Sequence, residues 1–327
     1  MTFEFTAGAG FDFLTGFSQQ FGAPVIGNQL QIPGHMGQGS IRRIDFSDSF
    51  KLLIHQYTLR DDFVLRRKAP ETVSDLITII FYNSSLPNNQ LSNRERSFTC
   101  TKVNTASVEV SSNDLNSEIH FPGGREIYFT VVGIKAALLA ELLGPTEPNE
   151  LIDRVTNGSS TFLYHLLMIP EFEKTLKNLA ETHENDPLNR FFYKVKTQEL
   201  LYHVFSSLAK RENKKQCGLN NQDVGMLMTV RDALLADLSE PPQLRDLAKL
   251  ANMSETKLKQ LFRQIFGDSI YNYYQTVRME EAATMLRHPG VSVSQVGYQL
   301  GFSNLSHFSR LFAKHHGKAP KRYQSVG

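Results

Sequence analysis

The chain has 327 residues, 41% of them hydrophobic, with 35 Lys+Arg against 33 Asp+Glu and two cysteines. That length accommodates two domains and a packed core, which excludes disorder as the default state. Cys100 and Cys217 stand far apart with no CxxC spacing, which excludes a disulfide framework or a cysteine zinc site.

No run approaches the roughly 20 apolar residues of a membrane span. The start, Met1-Thr2-Phe3-Glu4-Phe5, lacks the basic and apolar regions of a signal peptide. A soluble cytoplasmic protein without membrane association is expected. The formal net charge of +2 does not by itself point to nucleic acid, but its distribution is uneven. Residues 221–327 carry 13 Lys+Arg against 9 Asp+Glu, so basic potential gathers in the last third.

Residues 1–40 are rich in Gly, Gln and Phe and show little periodicity. Strands are expected at 51–59, 76–82, 107–110 and 126–132, separated by turns such as Phe121-Pro122-Gly123-Gly124. Short strands at this spacing suggest a small barrel or sandwich, so the N-terminal fold is expected to be α+β, a cupin-like β-barrel with flanking helices. From residue 134 the pattern turns helical, with helices expected at 135–143, 148–155, 171–181 and 187–211. The last places Phe191, Val195, Leu200 or Leu201, and Val204 or Phe205 on one broad face. That face serves either an oligomer or packing within its own domain. The expected division is a β-rich sensing domain at 1–133, a helical extension at 134–211, a linker at 212–221 and an all-α domain at 222–327. The linker contains Lys214-Lys215 and Asn220-Asn221.

In the all-α part, one helix ends near Asp237 and another opens at Pro241-Pro242 and runs to Leu250. Ser254 is an N-cap, with Glu255 favourable in the first turn, and Gly267 closes that helix. A long helix follows from Ser269 through Arg287 and is stopped by His288-Pro289-Gly290. A further helix at 293–300 precedes one capped by Ser303 or Asn304, and Gly317 and Pro320 close the unit. Two segments nearly repeat each other fifty residues apart: Leu258-Lys259-Gln260-Leu261-Phe262 and Phe308-Ser309-Arg310-Leu311-Phe312. Each has an apolar face at helical spacing and a polar opposite face, and each follows a short helix and a tight break. This is the arrangement of a helix-turn-helix.

Two such units joined by a helix of about 18 residues, roughly 27 Å long, suit adjacent major grooves about 34 Å apart. Arg310 is the expected base reader, because a guanidinium grips guanine bidentately, and Gln260 suits adenine. His307, a turn earlier, suits base or phosphate. Arg263 and Lys314 either bind phosphate or face water. Phe262, Phe302, Phe308 and Phe312 are expected in the core.

The closing segment from Val291 to Phe312, which reads VSVSQVGYQLGFSNLSHFSRLF, continues through Gly317, Pro320 and Tyr323. With Arg278, Ala282-Ala283 and Leu286, it resembles the signature of the AraC/XylS family of bacterial transcription regulators. The resemblance covers about the last hundred residues. It implies a pair of helix-turn-helix units joined to a variable sensing or dimerising domain, no cofactor, and gene activation. Double-stranded DNA, RNA polymerase and a second copy of the chain are the implied partners. The family's base-contacting positions fall on Thr256, Lys259 and Gln260, then on Ser306, His307 and Arg310. Gly297 departs from the family's usual alanine, and Gln324 stands where arginine is usual. The N-terminal part, with Gly37-x-Gly39 before strand signals, resembles more loosely the regulators that answer to ferric siderophores such as ferric pyochelin.

Two other classes are weighed. A metal-dependent cupin-type enzyme needs clustered ligands, whereas His35, His55 and His120 are scattered, and no nucleophile elbow, P-loop or dinucleotide fingerprint occurs. No catalytic or metal site is therefore expected. A DNA-binding regulator without a ligand, controlled by abundance or a protein partner, differs only in the N-terminal domain. There, Arg42-Arg43 and Arg66-Arg67-Lys68 either attract an anionic ligand or are solvated faces.

Overall fold

The computed structural model describes residues 1–8, 11–72, 74–82, 107–181, 186–211, 217–288 and 290–324. Cys100, Lys214-Lys215 and Pro289 lie outside the described residues. The chain forms two compact units, Met1–Gly225 and Met226–Gly327.

In the first unit a three-stranded sheet is built from β1 (Thr2–Thr6), β6 (Phe63–Lys68) and β9 (Ser117–Phe121), in that order. The other strands are β2 (Val25–Ile26), β3 (Gln29–Gln31), β4 (Gly37–Ser47), β5 (Phe50–Leu59), β7 (Leu76–Tyr82), β8 (Ser107–Ser112), β10 (Glu126–Lys135) and β11 (Leu163–Leu167). They form an eight-stranded sheet in the order β11-β8-β7-β10-β5-β4-β3-β2. Its pairings are antiparallel.

Both faces of the large sheet are apolar. The row Leu52, Val132, Ile79 and Val110 belongs to a core shared with the helices, including Leu139, Phe172, Leu176, Leu200 and Val204. The opposite row, Leu53, Val131 and Ile80, faces a second core with Phe3, Phe63, Leu65, Ile119 and the helix residues Leu14 and Phe17. The expected β-rich α+β region is therefore present, as two sheets sandwiching the second core. Among the described residues, no strand pairing closes them into one barrel.

Several elements differ from expectation. The quiet first forty residues hold β1 and helix α1 (Phe13–Phe21), capped by Asp12, whose side chain accepts from Thr15 N–H. The region expected to be helical contains α2 (Ala136–Leu143), α3 (Glu150–Thr156), α4 (Pro170–Ala180) and α5 (Asn189–Ala209), but also β11, which pairs with β8. β11 is short and buried on both faces, so it carries no alternation to read.

Helix α5 buries only part of the expected face. Tyr193, Thr197, Leu200, Leu201, Val204, Phe205 and Leu208 go inward, while Phe191 and Val195 are 64% and 42% exposed. The Gly37-x-Gly39 pair has a backbone cause: a Cβ at Gly39 would lie 2.4 Å from Gln56 O, and one at Gly37 would lie 2.0 Å from Thr58 O.

The basic runs are not plain solvated faces. Arg42 donates to Tyr193 Oη at 3.0 Å and to Ala180 O at the end of α4 at 3.2 Å. Arg66 pairs with Glu118 at 2.6 Å, and Arg67 is buried. Among the described residues, no group of three or more His, Cys, Asp or Glu is placed to hold a metal, and no helix is long and apolar enough to cross a membrane.

Helix α6 (Asn221–Leu235) leads into the second unit, which continues with α7 (Leu244–Leu250), α8 (Glu255–Phe266), α9 (Ile270–Leu286), α10 (Val293–Gln299), α11 (Leu305–His316) and α12 (Pro320–Gln324). Pro241-Pro242 precedes α7 without opening it, and Pro320 begins a short helix rather than ending the fold.

Candidate nucleic-acid interface

Helices α8 and α11 are each twelve residues long and start at side-chain caps. Ser254 Oγ accepts from Lys257 N–H, and Asn304 Oδ1 accepts from the N–H groups of Ser306 and His307 at 2.9 and 3.1 Å. Both end at a left-handed glycine, Gly267 and Gly317. Leu258, Leu261 and Phe262 are fully buried on α8, as are Phe308 and Phe312 on α11. Each fully buried Phe or Leu contributes about 1.5–3 kcal/mol. These contacts fix which faces of the two helices remain outside.

The outer faces carry the expected residues. Thr256, Lys259 and Gln260 are exposed on α8 and Arg263 is half-buried, at the spacing of one helical face. Lys259 sits 3.8 Å from Glu255, an exposed pairing that a phosphate can replace. On α11, Ser306, His307, Arg310 and Lys314 are all exposed. The His307 ring leans on Phe302, with centroids 5.9 Å apart, while Arg310 makes no hydrogen bond or ion pair among the described residues. Burial, His316 and Lys314 together hold the His315 imidazole below its ordinary range. The two residue sets are thus presented on two equivalent helices.

Sequence reasoning did not single out Lys318, Lys321 and Arg322, exposed just after α11. Their signal was the basic run from Lys314 onward. Arg245 and Lys249, beside the first turn, line a shallow groove with Asn252 and Met253.

The turns position these helices. In the first helix-turn-helix the left-handed residue is Asn252, φ 52°, and Met253 N–H donates to Ala248 O. In the second it is Gly301, φ 75°, and Phe302 N–H donates to Gly297 O. The supporting helix and turn thus repeat after 49 residues, whereas the caps Ser254 and Asn304 repeat after 50. The second turn is one residue longer.

Gly301 also passes tightly by its neighbour: a Cβ there would lie 1.9 Å from Ser239 O. Asp237 fixes Ser239 by accepting from its N–H and hydroxyl at 2.7 and 2.6 Å, hydrogen bonds that hold the Asp237 carboxyl below the usual range. The Gly297 departure allows α10 to sit close to α11, since a Cβ would meet Leu305 Cδ2 at 2.6 Å. At Gln324, the side chain donates to Val291 O, closing the C-terminal end onto the α9–α10 connection.

Arg278 binds the connecting helix to the second turn. Its guanidinium donates to Leu300 O and to Gln275 Oε1 at 3.2 Å, between the rings of Tyr274 and Phe302. Burial lowers its pKa.

Two capped helix-turn-helix units on one rigid connector define the helix-turn-helix class. The family model described as a helix-turn-helix domain matches residues 247–325. The Msm operon regulatory protein of Streptococcus mutans is 32% identical over 82 residues, which is 25% of this chain and 30% of that protein. The HTH-type transcriptional activator RhaR of Mannheimia succiniciproducens is 28% identical over 103 residues, 32% of this chain and 37% of its own. A crystal structure of a transcriptional regulator from Chromobacterium violaceum, with an AraC-type DNA-binding domain, is 27% identical. It covers 32% of this chain and 95% of that one, with a TM-score of 0.30. The chain thus spans about a third of the length of the curated relatives named. Residues 247–325 form a helix-turn-helix domain that is similar to those of AraC/XylS-type transcription regulators.

Proposed function

We propose that the protein is a sequence-specific transcription regulator that binds double-stranded DNA through α8 and α11 in successive major grooves and answers to a small molecule. The observation that carries the reading is the pair of equally long, equally capped helices whose polar faces are both exposed. The connector α9, 17 residues long, measures roughly 26 Å, close enough to the groove repeat for modest DNA bending to take up the remainder. Thr256, Lys259, Gln260, Ser306, His307 and Arg310 read bases, and Arg263 and Lys314 hold phosphates. Selection of duplexes from a random pool by the full chain tests this: an enriched site with two boxes about one helical turn apart is expected, and no enrichment overturns it.

A cavity of about 500 Å³ in the first unit supports the small-molecule part of the reading. A ligand acts by differential affinity for DNA-competent and incompetent states. Ferric siderophores, suggested by the looser resemblance, form one panel of a ligand screen. We place homodimerisation on the exposed stripe formed by Leu188, just before α5, and Phe191, Val195 and Tyr202 on it, which is 42–66% exposed. Activation through contact with RNA polymerase completes the reading. Transcription reconstituted on the selected site tests it, with a rise in transcript expected on adding protein and ligand.

A further inference from the structure

The inner face of the three-stranded sheet alternates Phe63, Leu65 and Arg67 along β6. Arg67 stands in register between Phe5 and Ser117 and is only 5% exposed. An arginine at this position should find its partners inside the protein. It finds only some: Nη2 donates to Leu115 O at 3.1 Å and to Ser111 Oγ at 3.3 Å, while Nε and Nη1 have no partner among the described residues. Glu109 and Asp114 act on it at longer range, and no carboxylate among the described residues forms an ion pair with it.

Arg67 borders the cavity of about 500 Å³ between the two sheets, whose walls include Phe5, Phe13, Leu53, Phe129 and Val131. Of the other cations on the lining, Arg43 pairs with Asp12 and Asp45 and Lys51 lies 3.9 Å from Asp45, and Lys135 also borders the space. His55 also borders the space, stacked on Phe129 with centroids 3.9 Å apart, and its Nδ1 lacks a partner among the described residues. A buried guanidinium with unmet donors is costly to the folded state, and among the described residues no ion pair offsets that cost. An anion entering the cavity would offset it.

We propose that this cavity takes a singly charged organic anion, a carboxylate on an apolar body of aromatic size, with the carboxylate paired to Arg67. The proposal rests on the ligand-responsive reading above and names its ligand class. Aromatic and aliphatic walls favour a flat apolar body. The lining carries Arg43, Lys51, Arg67 and Lys135 against Asp12, Asp48 and Asp75, a surplus of one positive charge that favours a single negative charge over a phosphate dianion. His55 supplies a neutral hydrogen-bonding group to a ring substituent.

Calorimetric titration of the full chain with 2-naphthoate and its uncharged analogue 2-naphthamide tests the proposal. The native protein should prefer naphthoate by about ten-fold or more, the effect of one charge-assisted hydrogen-bonded pair. Arg67→Met should lose that preference, still bind naphthamide, and melt no lower than the native protein, because an unmet buried charge has been removed. A merely structural Arg67 would instead lower the melting temperature and leave the preference intact, which overturns the proposal. Equal binding of both compounds by the native protein also overturns it, while leaving a ligand-gated regulator standing. Binding of neither overturns the proposal, and the wider ligand screen then decides the ligand-responsive reading. If Arg67→Met does not fold, Arg67→Lys, which keeps the charge but shortens the reach, should retain naphthamide binding with a reduced preference. An unchanged preference there counts against Arg67.

Discussion

The guanidinium carbon of Arg278 lies 4.0 Å from the centroid of the Phe302 ring, joining the connecting helix to the turn of the second helix-turn-helix unit. A planar cation stacked on a ring and donating to a turn carbonyl does two tasks that a lysine cannot combine. Arg278→Lys should destabilise the C-terminal unit by about 1–2 kcal/mol, seen as a lower denaturant midpoint. An unchanged midpoint would mean that the stack contributes nothing.

Glycines at positive φ separate conformational strain from steric collision. Gly290, φ 84°, has nothing within 4 Å of a built Cβ, whereas Gly301, φ 75°, faces Ser239 O at 1.9 Å. Gly290→Ala should cost about 1–2 kcal/mol. Gly301→Ala should cost about 3 kcal/mol or more, because backbone must also move. Thermal unfolding of the two variants checks the order, and equal shifts would contradict the close approach.

On DNA, Arg310→Ala should weaken specific binding by about 1–3 kcal/mol and relax selectivity at one base position. Lys314→Ala should weaken all sequences alike and reduce the salt dependence by about one phosphate contact. Footprints unchanged by Arg310→Ala would remove it from the reading set.

His55 sets an acid limit on the first unit. Burial pushes its pKa down from 6.5 to about 3, so between those values the unfolded chain holds the extra proton. Stability is full above the unfolded value and falls by about 1.4 kcal/mol per pH unit as pH drops toward the folded one. Unfolding midpoints across that range should slope more steeply for the native protein than for His55→Phe. Parallel slopes would show that the ring is not neutral and buried.

The C-terminal unit was legible because its signals are local. Ser254, Ser269, Asn304 and the glycines Gly267 and Gly317 act within one turn of where they stand. Even so, the extra turn residue before Asn304 escaped, since the repeat was read from the recognition helices alone. The N-terminal unit depends on partners far along the chain. β1 is fixed by pairing with β6 more than sixty residues away, and β11 by pairing with β8. Arg67 was readable in part: Phe63, Leu65 and Arg67 share a strand face, but only the β1 and β9 neighbours show that the face is interior. Helix α5 misled because it carries apolar residues on two faces, Leu200 and Val204 inward and Phe191 and Val195 outward.

The one-residue difference between the two turns, together with unlike outer faces, gives the domain a front and a back. Thr256, Lys259 and Gln260 lead, Ser306, His307 and Arg310 follow, and their order is fixed by a single chain. A palindrome is read identically from both ends, but this pair gives its site an arrow. If the domain reads DNA as proposed, inverting the site would reverse the order in which α8 and α11 meet the bases, so the site would carry an orientation as well as a sequence.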